Sequence, residues 1–224
     1  MKHTFVLGLL ILSFGMHGCA KEENFAEQPA VESNPPPHGV QMAEKSNELS
    51  FWILDEADIR FYSTKTDKDD NDIVEEGVFN TYFGYLDKQG NLKMEIELDS
   101  VETDISIRNQ RIKEWLFETE RFPKVEIQSQ IDYDWINTLG VHKEVSKVQP
   151  LTISFHGKTI QTEASLKIIK LDNNTINVMT QEPIHLNLLE LEMMQGLNSL
   201  TEVMNLKSIG YLVPVKFQGI FKKP

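Results

Sequence analysis

The feature that most constrains this chain is an alternation of apolar and polar residues with period two, repeated from about residue 50 to the C-terminus. Leu92, Met94, Ile96 and Leu98 alternate with Lys93, Glu95, Glu97 and Asp99. Successive side chains of a strand point to opposite faces, so such a run has one buried and one solvated face. Val125, Ile127 and Ile131 repeat the pattern, as do Leu151, Ile153 and Phe155. Ile160, Ala164, Leu166 and Ile168 follow, then Ile184, Leu186 and Leu188, and finally Val213, Val215 and Phe217. Ile59 and Phe61 begin the series. The spacing predicts about eight strands, near 57–64, 78–87, 92–99, 124–132, 149–156, 159–171, 175–188 and 211–222. Turn residues separate them, including Asp87-Lys88-Gln89-Gly90-Asn91 and Asp172-Asn173-Asn174. Hairpins and meanders without βαβ alternation point to an antiparallel barrel or sandwich.

Two stretches leave the strand period. In 107–118, Ile112, Trp115 and Leu116 fall at i, i+3 and i+4, one face of a helix, and Pro123 ends that region. In 196–206, Leu197, Leu200 and Met204 form a similar stripe behind Gly196. Two short helices in an eight-strand meander are expected to lie over a barrel mouth or plug its seam.

The first fifty residues read differently. Lys2 and His3 precede an apolar run from Phe5 to Phe14, the form of a signal peptide over 1–18 and too short for a membrane span. The chain's single cysteine, Cys19, follows directly behind Gly18. This resembles a bacterial lipobox, in which that cysteine becomes the lipidated N-terminus; Met16 and His17 depart from the usual aliphatic and small residues. The alternative is plain secretion, with cleavage near Ala20. Residues 19–49 then form a tether, with Pro29, Pro35, Pro36 and Pro37 and no apolar periodicity. Its 20–48 portion spans roughly 30 Å if flexible. The expected organisation is signal peptide 1–18, lipidated cysteine and disordered tether 19–49, and a β-barrel domain 50–224.

Composition removes several function classes. A formal net charge of −12 argues against nucleic acid, whose phosphates require a basic surface. A lone cysteine excludes an internal disulfide framework and a Cys-rich metal site. Asp67, Asp69, Asn71 and Glu75 sit at the first, third, fifth and ninth positions of an EF-hand-like loop, but Asp72 replaces its glycine and Val78 its final glutamate. A solvated acidic loop is the better reading. Three of the six histidines lie in the signal peptide or tether, no two of the remainder sit at ligand spacing, and His156 before Gly157 suggests a hydrogen bond in a turn. Arg108 and Asn109 read first as the anchor of a helix start, and second as contacts to a ligand headgroup.

The order of several short motifs resembles the YceI-like proteins over about 50–222. They are Ser106-Ile107-Arg108-Asn109 through Ile112-Lys113, Leu116-Phe117 and Glu120-Arg121-Phe122-Pro123. Upstream are Gly77, Phe79, Tyr82 and Gly84; downstream are Phe155-His156-Gly157-Lys158 and Val213-Pro214-Val215-Lys216-Phe217. The resemblance implies an all-β, lipocalin-like, eight-stranded antiparallel barrel with an elongated apolar interior, secreted, holding a polyprenyl chain, an isoprenoid quinone or a fatty-acid derivative. It carries no catalytic residue and no cofactor beyond such a lipid, so the chain is expected not to be an enzyme. Many members look like dimers, though nothing in this sequence marks an interface.

The expected barrel lining is Ile59, Phe61, Phe79, Met94, Ile96, Phe117, Leu151, Ile153, Phe155, Leu186, Met193, Leu197, Met204 and Phe217. Met193, Met194 and Met204 are placed to form a soft lid, because methionine adapts to irregular apolar shapes. Phe79 and Tyr82 have opposite parity, so both face inward only if a bulge intervenes near Phe83-Gly84. The functional expectation is an envelope-anchored, periplasm-facing lipid-binding lipoprotein, with the outer membrane favoured. The rival is a membrane-tethered interaction or structural protein with a solid core. An eight-stranded barrel is just wide enough either to fill with side chains or to hold one small ligand.

Overall fold

The computed structural model describes residues 50–224, which lie within one compact unit. The expected signal peptide, Cys19 and the tether lie outside the described residues. Twelve strands occur in chain order: β1 (Ser50–Thr66), β2 (Asp72–Phe79), β3 (Tyr82–Asp87), β4 (Asn91–Glu97), β5 (Val101–Glu102), β6 (Lys124–Gln130), β7 (Glu144–Phe155), β8 (Lys158–Lys170), β9 (Thr175–Thr180), β10 (Ile184–Asn187), β11 (Ser208–Ile209) and β12 (Leu212–Lys222). Eight of them, β1, β3, β4, β6, β7, β8, β9 and β12, close a ring in which every pairing is antiparallel. Closure removes the unpaired edges that an open sheet would expose. The expected eight-stranded lipocalin-like barrel is therefore the observed fold.

Two breaks refine the expected strands. The span 78–87 is split at Asn80-Thr81 into β2 and β3, which pair with successive stretches of the long β1. The span 175–188 is split by Gln181-Glu182-Pro183 into β9 and β10, both paired with β12. The first break lets Phe79 and Tyr82 both pack on the core despite their opposite parity. The expected bulge at Phe83-Gly84 does not exist; β3 and β4 stay in continuous register there. A register shift occurs instead in β1, between Leu54 and Glu56. It switches the inward phase from even residues (Trp52, Leu54) to odd ones (Ile59, Phe61).

Among the described residues the helices number three rather than two. The first, α1, runs Ser106–Arg111 and continues as a wider π-turn over Ile112–Phe117, closed by Glu118 in a left-handed conformation (φ 48°). A π-turn spends more residues per turn than an α-helix. It thereby brings Ile112, Leu116 and Phe117 inward and leaves Trp115 36% exposed, against the α-helical face expected from the sequence. The second helix, α2 (Tyr133–Thr138), is capped by the Asp132 side chain, which accepts a hydrogen bond from the Trp135 N–H (3.1 Å). The third, α3 (Met194–Val203), buries Gly196, Leu197 and Leu200.

Gly196 sits where α3 crosses the π-turn. A Cβ there would fall 2.8 Å from the Leu116 Cα and closer still to the Trp115 carbonyl. Those are backbone atoms and cannot swing aside. Gly196→Ala is expected to destabilise the fold by about 1–3 kcal/mol through overpacking, despite the roughly 1 kcal/mol that alanine gains in helix propensity. Chemical denaturation of the two proteins measures this, and an unchanged or raised stability would contradict so close a helix crossing.

Candidate functional site

The barrel interior is hollow. Two adjoining cavities, of about 150 and about 130 Å3, occupy it. Native cores pack densely and leave few voids larger than a water molecule. Ile59, Ile96, Ile127, Ile184 and Val215 line both cavities, so this aliphatic ring, drawn from five strands, is the partition between them. The solid-core alternative does not describe this interior.

The first chamber lies under α1 and α3, from which Ile112, Leu116, Phe117, Leu197 and Leu200 enter its wall. These two helices thus cover one end of the barrel. Aromatic rings run along the same wall: Phe61 and Phe79 lie 5.5 Å apart between ring centres, Phe79 and Phe117 6.0 Å, and Phe117 and Phe155 5.8 Å, the last edge-on. Such tilted and edge-on pairs add to burial of the rings. Gly77 faces Phe61 directly across the β1–β2 pair and leaves room for that ring. The second chamber is bounded by Trp52, Ile136 of α2 and Phe221.

Most of the expected lining residues border these spaces. Phe61, Phe79, Phe117, Ile153, Phe155, Leu186, Leu197 and Met204 line the first chamber, and Met94, Leu151 and Phe217 the second; Ile59 and Ile96 line both. Met193 borders neither and is buried at 2% exposure in the core cluster that holds Leu188 and Leu191. Of the three methionines considered for a lid, Met204 alone lines a chamber.

At the polar end of the first chamber the sequence pointed only to Arg108, as a second reading, and missed the other residues. Ser63, Lys65, Glu75, Thr103 and Arg108 border it. Lys65 is only 5% exposed. Its ammonium and the Arg108 guanidinium both reach the same Glu75 oxygen, Oε2. The signal was present: Lys65 falls on the inward parity of Ile59, Phe61 and Ser63, and Glu75 pairs across from Ser63. Arg108 also donates from Nε to the Thr103 hydroxyl (2.8 Å) and from Nη2 to the Thr103 carbonyl.

Asn109 has the structural role expected of it. Its Oδ1 accepts from the Thr103 N–H (2.9 Å) and hydroxyl (2.6 Å), and its Nδ2 donates to Glu102 (2.7 Å). The expected acidic loop is the β1–β2 connection, ordered by Asp67, whose Oδ1 accepts from the N–H groups of Asp69 (2.8 Å) and Asn71 (2.9 Å). Glu75 belongs to the chamber instead. His156 heads the β7–β8 turn at φ 51°, but its ring bonds lie outside that turn, to the Leu191 carbonyl (3.2 Å) and the Glu118 carboxylate (3.3 Å).

Two partly buried carboxylates carry a pH dependence. Burial pushes Glu75 upward, but hydrogen bonds and charge from Lys65 and Arg108 outweigh it and hold the group below the usual carboxylate range. Glu95 is likewise pushed up by burial, and hydrogen bonds and charge from Lys93 and Lys124 outweigh that and lower it. A depressed folded-state pKa contributes stability above the unfolded value, about 4.3 for glutamate, and loses it as pH falls through the folded value. The denaturant midpoint is therefore expected to be level near neutrality and to drop below about pH 4–5. Glu95→Gln should flatten part of that drop; an identical acid profile would exclude Glu95 as a source.

The fold and interior together define a closed antiparallel barrel of lipocalin-like class with a hollow apolar core. Its solved likenesses have the same architecture. The chain is similar to a polyisoprenoid binding domain from Saccharophagus degradans, described as implicated in plant cell wall breakdown, with a TM-score of 0.74 and 24% identity over 78% of this chain and 99% of that one. It is also similar to BcnA of Burkholderia cenocepacia, with a TM-score of 0.53 and 15% identity over 73% of this chain and 95% of that one. A Campylobacter jejuni YceI protein matches 62% of this chain and 82% of its own at a TM-score of 0.43, too slight a likeness to add to the comparison. No protein-family model matches the chain, and no curated protein matches it significantly.

Proposed function

We propose that this chain is a YceI-like lipid-binding protein that holds one isoprenoid-type apolar chain, a polyprenyl lipid or an isoprenoid quinone, inside the barrel for carriage or storage. The observation that carries this reading is the pair of adjoining apolar chambers. An apolar cavity of about 150 Å3 lined by aliphatic and aromatic groups stays dry and accepts apolar guests. Two such spaces in line suit a long narrow chain better than a compact one. Each methylene removed from water contributes about 0.8 kcal/mol, so affinity needs no buried charge along the tail. The binding activity described for the Saccharophagus domain, and the YceI-like motifs in this sequence, support the same ligand class.

The proposal includes the anchor. Cys19 carries the lipid, the tether lets the barrel stand clear of the bilayer, and the protein faces the periplasm from the outer membrane. Because one acyl chain alone binds a membrane reversibly, a multiply acylated cysteine of the bacterial lipoprotein type fits the role.

The binding reading is tested by incubating delipidated full-length protein with a long polyprenol or quinone and passing it through gel filtration. Co-elution of about one lipid per barrel is expected of a single-ligand interior. Absence of both lipids from the protein peak would refute it. For the anchor, a fatty-acid probe should label the wild type in bacterial cells and miss Cys19→Ala; retained label would exclude Cys19.

A further inference from the structure

The polar end of the first chamber is built for more than an apolar tail. Lys65 and Arg108 line the chamber with side chains only 7% and 13% exposed, and they share a single carboxylate, that of Glu75. Glu76, also at this wall, is engaged by Arg60 (2.9 Å), with both side chains well exposed, and does not offset the inner pair. The inner group thus comprises two cations and one anion. Its donors are also in excess. An ammonium offers three N–H groups and a guanidinium five. The contacts of Lys65 Nζ go to Glu75, and those of Arg108 to Glu75 and Thr103. Among the described residues both cations therefore keep donors without a protein acceptor, at the polar end of a largely apolar space. Charge taken out of water needs a partner, and an anion entering from the chamber would supply one.

We propose that this end of the first chamber is a headgroup site for an anion, the phosphate or carboxylate of a single-chain amphiphile. The tail runs past the aliphatic partition toward Trp52 and Phe221. The inference rests on the lipid-holding reading above and adds orientation and headgroup chemistry to it. Glu75 keeps the two cations apart and partly neutralised until the ligand arrives. Arg108 is steadied by Thr103, so its free N–H groups are held in place. Both features favour short charge-assisted bonds to an oxyanion over the weaker bonds an alcohol or quinone oxygen would make.

The test compares farnesyl phosphate with farnesol, which share a tail and differ in head, on the delipidated full chain. The wild type should hold farnesyl phosphate at least about tenfold more tightly. Lys65→Met should bring that ratio close to one while farnesol affinity persists, and Lys65→Arg should restore the preference. A wild type without preference for the phosphate, or a Lys65→Met protein that keeps it, overturns the headgroup site and leaves the apolar interior standing. Inorganic phosphate should not compete. If it displaces farnesyl phosphate at the same concentration as it binds alone, the site is one for free phosphate and the amphiphile is excluded. If neither prenyl compound is retained, the lipid-holding reading falls, and this one with it.

Discussion

Ala164→Phe is expected to weaken uptake of long apolar chains about a hundredfold while leaving the barrel folded. Ala164 is 2% exposed, lies on β8 and lines the second chamber, so an added phenyl ring projects into empty space. Cavity filling of this kind commonly adds about 0.5–2 kcal/mol of stability. It also denies a tail the far half of the barrel. Each methylene kept in water forfeits about 0.8 kcal/mol, so a tail shortened by about three or four methylenes binds roughly a hundredfold more weakly. Stability and binding thus move in opposite directions. A thermal melt and the gel-filtration assay on the same variant read both, and either a lowered melting temperature or undiminished uptake would show that the second chamber is not ligand space.

The second large effect concerns the wall under the helices. Phe117 is 6% exposed and packs edge-on against Phe155 and at a tilt against Phe79. Truncation of such a side chain typically costs about 3–5 kcal/mol. Phe117→Ala should fall near the lower end, because one side of the ring already faces a void. Trp115→Ala, two residues earlier, should change stability by only about 0.5 kcal/mol, as for other surface positions. The pair separates the observed π-turn from a regular helix, which would bury Trp115. Urea denaturation with comparable slopes for both variants gives the answer; a larger loss at Trp115 would contradict the inward face described.

The barrel was legible because its strands alternate cleanly and its turns carry recognisable residues. Gly90, at φ 86°, and Asp87, which accepts from the Gln89 and Asn91 N–H groups, make the β3–β4 turn that the sequence marks. What escaped were local departures from period. The shift in β1 near Asp55 leaves no compositional mark, since charged residues fill both phases there. Helix α2 is six residues long, too short to show a helical stripe, although Asp132 three residues before Trp135 marks its start. The π-turn reads as an α-helix because one extra residue per turn displaces an apolar face by a single position.

The chamber lining was largely legible for a related reason: inward parity selects it. Met193 was the exception, since it precedes α3 in a loop where neither strand nor helix parity applies. Arg108 was weighed as a headgroup contact, but its partners Lys65 and Glu75 were overlooked because charged residues are normally assigned to the outer face. Lys65 and Glu75 keep inward parity in spite of their charge, and that conflict between pattern and chemistry is the mark of the site.

The central claim is that the hollow interior is occupied by one apolar chain in the cell. Native mass spectrometry of the full-length protein, purified gently from cells that express it, tests it most directly. The account predicts a single adduct per protein, released by organic solvent and identified on fragmentation as an isoprenoid lipid. A bare protein mass, from material that also takes up no polyprenyl lipid or quinone afterwards, would contradict it.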